Sequence, residues 1–375
     1  MLTLIIFLVV LSLLVFVHEL GHFFTARKFG IKAEEFGFGF PPRAWGIYKN
    51  VDGKWKQIFG NRKIDDCPTT VYSINWFPLG GFVKIKGEDG ENIEPDSFGA
   101  KKIWQRAVVL SAGVSMNILL AVVLISISLM IGTPQSLDSV DKGAKIGVQQ
   151  IQIVQVLDKT PAQKAGLVEG DIVLSINDNK FSDIQSIINF VDKNKDKPLT
   201  YLIKRGAKTI NFSIKPELQK ETGKAGIGVA LDENYLVRYP WYQAIWEGIK
   251  RTVLLTWVII LAFFGLIKNL VTGHGLGGAA VAGPIGIAKM TGQVARIGFA
   301  YLLNFTALLS INLAVINFLP IPALDGGRVF FLIIEKIKGR PMKQELEAVL
   351  NNIFFILLII LMLVVTGREV LGLFK

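Results

Sequence analysis

An almost unbroken apolar run from Leu2 to Phe24 is long enough to cross the roughly 30 Å of hydrocarbon in a bilayer. Near its end it reads Phe16-Val17-His18-Glu19-Leu20-Gly21-His22-Phe23-Phe24. Ionisable side chains at membrane depth cost roughly a few kcal/mol or more each, so a fold that buries them must give them each other, a partner or a water-filled cavity. His18 and His22 are four residues apart and share a helix face, so both rings can reach one ion. Glu19 lies one step round the helix, within reach of a water at that ion. In zinc hydrolases the metal acidifies water and the Glu takes its proton. A lone core histidine is usually satisfied by a carbonyl, but that account does not cover three ionisable residues in one spanning segment. Two histidines leave the site incomplete, because catalytic zinc takes three protein ligands and an open position.

Composition narrows the class. With 51% hydrophobic residues and a mean hydropathy of +0.45, the 375-residue chain is too apolar for an ordinary soluble enzyme. The net charge of +11 is carried by scattered Lys and Arg, some beside apolar segments, which fits membrane topology rather than a nucleic-acid groove. The lipid bilayer is therefore an expected partner and nucleic acid is not. The single Cys67 offers neither an internal disulfide nor a zinc knuckle.

In chain order, residues 1–33 hold the first transmembrane helix. No positive region precedes it, unlike a signal peptide, and Arg27, Lys28 and Lys32 follow it. The positive-inside rule then sets the N-terminus outside and the histidines toward the cytoplasm. Residues 34–100, with Gly37-Phe-Gly-Phe-Pro-Pro42 and Val71-Tyr-Ser-Ile-Asn-Trp-Phe-Pro-Leu-Gly-Gly-Phe-Val-Lys-Ile-Lys86, read as hairpin strands beside that helix, whose free edge could take an extended substrate by strand addition. An ordinary cytoplasmic hairpin fits that segment equally well. A second helix, residues 101–132, returns outward. Its Ser111-Ala112-Gly113, Ser115 and Asn117 suit close helix packing, and Asn117 can bond a neighbouring helix.

Residues 135–232 have the hydropathy of a soluble domain, outside by topology. The run Thr160-Pro-Ala-Gln-Lys-Ala-Gly-Leu-Val-Glu-Gly-Asp-Ile-Val-Leu-Ser-Ile-Asn177 resembles a PDZ domain of the bacterial protease-associated kind, an α+β fold. Such folds bind extended chain ends by edge augmentation. Residues 240–298 read as membrane-associated on the outer side, because Val253–Ile267 is short, is interrupted by Lys268, and is accompanied by Trp241, Trp246 and Trp257. His274, the third histidine, lies in Gly273-His-Gly-Leu-Gly-Gly278 on that outer side, too far from His18 and His22 to join them. Gly283-Pro-Ile-Gly286 is a tight turn.

Residues 300–340 hold the third transmembrane helix, whose span Tyr301–Leu319 is apolar but carries Asn304, Asn312 and Asn317 and runs into Pro320-Ile-Pro-Ala-Leu-Asp325-Gly-Gly-Arg328, where the prolines break the helix. Lys336, Lys338, Arg340 and Lys343 follow, so it descends inward and brings Asp325 to the depth of His18 and His22, as the missing oxygen ligand. A fourth helix in residues 341–375 returns outward. An additional crossing at Val253–Ile267 would bring Asp325 in from the wrong side. The fold class expected is a multi-pass α-helical membrane protein of four transmembrane helices with a membrane-associated β-loop and an inserted PDZ-like α+β domain.

Together these motifs resemble the site-2 protease family of intramembrane zinc metalloproteases, over nearly the whole chain. The resemblance implies that His18, His22 and Asp325 bind Zn2+, that Glu19 activates the water, and that Asn312 and Asn317 contact the substrate backbone. It implies single-pass membrane proteins as substrates, anti-sigma factors or signal-peptide remnants, cut after a first extracytoplasmic cleavage, and a place in the bacterial cytoplasmic membrane. Some members carry two tandem PDZ domains, whereas this chain has room for one. Two rivals are a non-enzymatic PDZ scaffold, which has no need of Glu19 and the ligands, and a transporter with an intramembrane metal, for which internal repeats at corresponding positions are lacking.

Overall fold

The computed structural model describes residues 2–62, 64, 67–88, 94–135, 140, 143–195, 197–206, 208–218, 223–272 and 282–373. The chain divides into two compact units, one of residues 1–123, 249–289 and 306–375, the other of residues 124–248 and 290–305.

In the first unit, helix α1 (Leu2–Lys28) is built from an uninterrupted run of Leu, Ile, Val and Phe and closes on Arg27 and Lys28. Gly30, at φ 66°, ends it, and the Ile31 amide turns back to the Ala26 carbonyl at 2.9 Å. Strands β1 (Ala33–Lys49), β2 (Trp55–Phe59) and β3 (Val71–Ile85) form a sheet in the order β2-β1-β3. Residues 35–38 of β1 pair with both arms of β3, residues 81–84 and 71–74. The sheet is fastened to α1 in two ways. Ser12 Oγ donates to the Pro78 carbonyl and accepts from the Gly80 amide, both at 3.2 Å. Phe23 also stacks on Phe36 with centroids 4.6 Å apart. At its far end Phe38, Phe40, Ile74, Trp76 and Phe77 are exposed.

Helix α2 (Ile103–Ile131) follows. The second unit holds a six-stranded sheet of order β4-β11-β5-β6-β7-β8. Its strands are β4 (Thr133–Gln135), β5 (Lys145–Val156), β6 (Ile172–Ile176), β7 (Leu199–Arg205), β8 (Lys208–Ile214) and β11 (Val229–Arg238), with β9 (Glu217–Leu218) and β10 (Ala225–Gly226) as a separate pair. Helices α3 (Pro161–Ala165) and α4 (Ile184–Lys193) complete it. Ile151, Ile153, Ile176, Leu199, Tyr201 and Ile203 are at the centre of its core. Asp183 caps α4 through the Ser186 amide at 2.7 Å.

Helices α5 (Trp241–Val271), α6 (Pro284–Ile297), α7 (Phe299–Asn317), α8 (Asp325–Lys338) and α9 (Gln344–Leu373) follow. One sequence expectation changes here. The segment read as short at Val253–Ile267 is part of one 31-residue helix that runs through Lys268. Among the described residues five helices, not four, are thus long and apolar enough to cross a membrane: α1, α2, Trp241–Asn269 of α5, α7 and Gln344–Gly372 of α9. Residues 300–340 hold two helices, α7 and α8. The chain breaks between α7 and α8 because Pro320 and Pro322 lack amide protons and disfavour helix at the residues before them. Several long apolar helices with exposed Leu, Ile, Val and Phe make this a membrane protein.

Candidate metal centre

Helix periodicity brings His18 and His22 to one face of α1, where they are 6% and 7% exposed. Their Nε2 atoms are 3.2 Å apart. Asp325 Oδ2 lies 2.9 Å from His18 Nε2 and 3.3 Å from His22 Nε2. Two nitrogens and an oxygen are the donors of a catalytic zinc site. With zinc bonds of about 2.0–2.1 Å, tetrahedral ligand atoms lie roughly 3.3 Å apart. The three separations fit that arrangement with little adjustment. Among the described residues, this is the group of three whose ligand atoms lie within 4.8 Å of one another. His274 lies outside the described residues.

Asp325 reaches this point because the chain turns sharply before it. Ala323 has φ 75°, a left-handed conformation that costs a non-glycine residue, and the Asn351 side chain of α9 holds its amide at 3.0 Å. Asp325 is the first residue of α8, and the two glycines after it let the helix start press on the preceding turn. A Cβ on Gly327 would lie 2.6 Å from the Ile321 carbonyl carbon. Arg328, three residues on, pairs with Glu88.

Helix α2 supplies what the sequence reading missed. His22 Nδ1 faces the Val109 carbonyl at 2.9 Å, and His18 Nδ1 faces the Asn117 side-chain amide at 3.2 Å. Gly113 lies between them, and a Cβ there would come within 2.7 Å of His18 Nε2. Positions 109, 113 and 117 repeat every four residues on one face, the counterpart of the spacing of the histidines. Asn117 had a signal, a polar side chain in an apolar helix; the Val109 carbonyl had none.

Glu19 Oε2 accepts from the Val83 amide at 3.2 Å. Val83 belongs to residues 81–85, an arm of β3 whose strand partners among the described residues are all on β1. Glu19 and His22 line a cavity of about 420 Å³ with Val83, Asp325, Asn351 and Asn352. Asn312 and Asn317 do not line it. Asn312 donates to the Leu308 carbonyl of its own helix at 2.9 Å, and Asn317 is partly buried at the end of α7.

The sequence model of peptidase family M50 matches residues 6–361. The regulator of sigma-W protease RasP of Bacillus subtilis is 31% identical over 458 aligned residues, covering 99% of this chain and 99% of the relative. A zinc metalloprotease RasP of Geobacillus kaustophilus is 30% identical, over 97% of this chain and 96% of the relative. Among solved structures, the PDZ domain of an SdrC-like protein from Listeria monocytogenes aligns with 27% identity and a TM-score of 0.21, over 23% of this chain and 92% of that domain. With the family match and the full-length relatives joined to the geometry around Glu19, the chain belongs to peptidase family M50 and is a zinc metalloprotease.

Proposed function

We propose that this intramembrane zinc metalloprotease cuts peptide bonds in the membrane segments of single-pass proteins, with zinc held by His18, His22 and Asp325 and with Glu19 as the base. The observation that carries the reading is the convergence of His18, His22 and Asp325 beside Glu19, on a cavity edged by a β-strand. Zinc bound to these three side chains supplies Lewis acidity, lowering the pKa of a water and polarising the scissile carbonyl. Glu19 accepts the proton of the attacking water and returns it to the leaving amine. Helical peptide bonds are satisfied internally, so a substrate must first unwind. Residues 81–85, adjoining Glu19, are suited to hold the unwound segment as an added strand. Asn312 and Asn317 are proposed to contact its backbone, a role that requires substrate to reach the end of α7.

The Bacillus subtilis relative is named as a regulator of sigma-W, which supports anti-sigma factors as a substrate class, with signal-peptide remnants as a second. The protein is proposed to reside in the bacterial cytoplasmic membrane with residues 135–232 outside, where a PDZ-like domain can turn away substrates that keep a bulky ectodomain. Four crossings remain the topology that suits the site. Asp325 follows α7 and touches His18 near the end of α1, so α1 and α7 must run the same way and the number of crossings between α2 and α7 must be even. A non-crossing α5 satisfies that condition.

Purified protein should cleave a single-pass substrate in a zinc-dependent, chelator-sensitive reaction. Glu19→Gln is expected to abolish cleavage with zinc content unchanged by metal analysis; retained proteolysis removes Glu19 as the base. Asp325→Ala is expected to lower zinc content, and an unchanged stoichiometry would point to another third ligand.

A further inference from the structure

The two outer partners of the imidazoles differ in what they can do. The Val109 carbonyl can only accept, so Nδ1 of His22 carries the ring proton and its Nε2 keeps a free lone pair. The Asn117 amide can accept or donate. Asn117 is fully buried, with its Nδ2 directed at His18 Nδ1 and its Oδ1 without a hydrogen-bond partner among the described residues. A His18 that ligates through Nε2 carries its ring proton on Nδ1, and Asn117 accepts that proton only through Oδ1. The amide oxygen and nitrogen are similar in size, so the same buried site accommodates Oδ1 facing Nδ1–H, which also satisfies the otherwise unpartnered oxygen.

We propose that Asn117 is a positioning residue for His18, whose amide oxygen accepts from Nδ1–H and so selects the tautomer that leaves Nε2 free. The main chain at Asn117 is held by Ser310 Oγ, which donates to its carbonyl at 2.7 Å and fixes where the side chain starts. One face of α2 thus fixes both imidazoles, His22 by a main-chain carbonyl and His18 by a side-chain amide. Partners of this kind are typically worth about 10–100-fold in metal affinity.

The inference rests on His18 as a zinc ligand, and the test separates the two claims. Zinc affinity of the detergent-solubilised protein is measured by competition with a chromogenic chelator. Asn117→Leu, similar in volume but without hydrogen-bonding atoms, is expected to weaken zinc about 10–100-fold. Asn117→Asp, which keeps an acceptor for Nδ1–H, is expected to bind as tightly as the parent or more tightly. His18→Ala is the control for the ligand assignment: full zinc affinity in that variant overturns the site reading. Loss in His18→Ala with none in Asn117→Leu overturns only the positioning role. Equal loss in the Leu and Asp variants also overturns it, since any change at a packed site would produce that result. If the Leu variant does not fold, Asn117→Ser, whose hydroxyl is too short to span the 3.2 Å contact, is expected to show the same loss, and its retention of full affinity would be decisive against the proposal.

Discussion

Gly113 shows how much a site can depend on an atom that is not there. A Cβ at this position would come within 2.7 Å of both Cε1 and Nε2 of His18, in the space the ligand atoms share. Alanine favours helix over glycine by about 1 kcal/mol, so Gly113→Ala should leave α2 intact or firmer while it displaces the imidazoles. The expected result is loss of zinc by metal analysis without a lower unfolding temperature; a variant that keeps zinc would mean that the rings can move aside freely. His18, Glu19 and His22 are legible in the sequence because their chemistry is tied to helical spacing. Asp325 is legible only through charge and orientation, since 307 residues separate it from His18. Ser111-Ala112-Gly113 suggests close approach without saying of what, and the carbonyl of Val109 leaves no trace in a side-chain pattern.

Elements were readable where a local rule governs them. The prolines at 320 and 322 stand in the sequence and mark the break that frees Asp325 to begin α8. In the second unit the Gly170-Asp171 motif was readable as a motif, but its physical reason lies on another strand. Arg205 of β7 grips the fully buried Asp171 through Nε and Nη2, both at 2.7 Å, and the Val168 amide adds a bond at 3.0 Å. Breaking a wholly buried pair costs about 3–5 kcal/mol, and the one-third exposure of Arg205 moderates this to about 2 kcal/mol for Asp171→Ala. The measurement is limited proteolysis of the solubilised protein against urea, scoring cuts within residues 143–238. Asp171→Ala should shift the midpoint to lower urea, and adding Arg205→Met should restore part of it by removing the orphaned charge. An unshifted midpoint would mean that the pair contributes nothing net.

At the scale of the whole molecule, the contact between His18 and Asp325 constrains the path of the chain through the bilayer more tightly than hydropathy does. Hydropathy admits α5 as a crossing: it is 31 residues long and exposes Val253, Leu254, Trp257, Leu261 and Phe264. Parity opposes it, because a single crossing there would leave the start of α8 on the far side from the histidines unless α6 crossed as well. At 14 residues and about 1.5 Å per residue, α6 is too short to span the hydrocarbon. On the four-crossing topology proposed above, the end of α5 and residues 135–232 are expected on the same side of the membrane. In a protein whose Cys67 is replaced by Ser, single cysteines at Asp158, exposed in the second unit, and at Thr272, exposed just after α5, provide the comparison. A membrane-impermeant maleimide added to intact spheroplasts should label both, and a cysteine at exposed Lys338 should react only after lysis. Labelling of Asp158→Cys without Thr272→Cys until lysis would make α5 a fifth crossing. The even count between α2 and α7 would then require a further passage of the chain before α7, and the four-crossing topology would have to be given up.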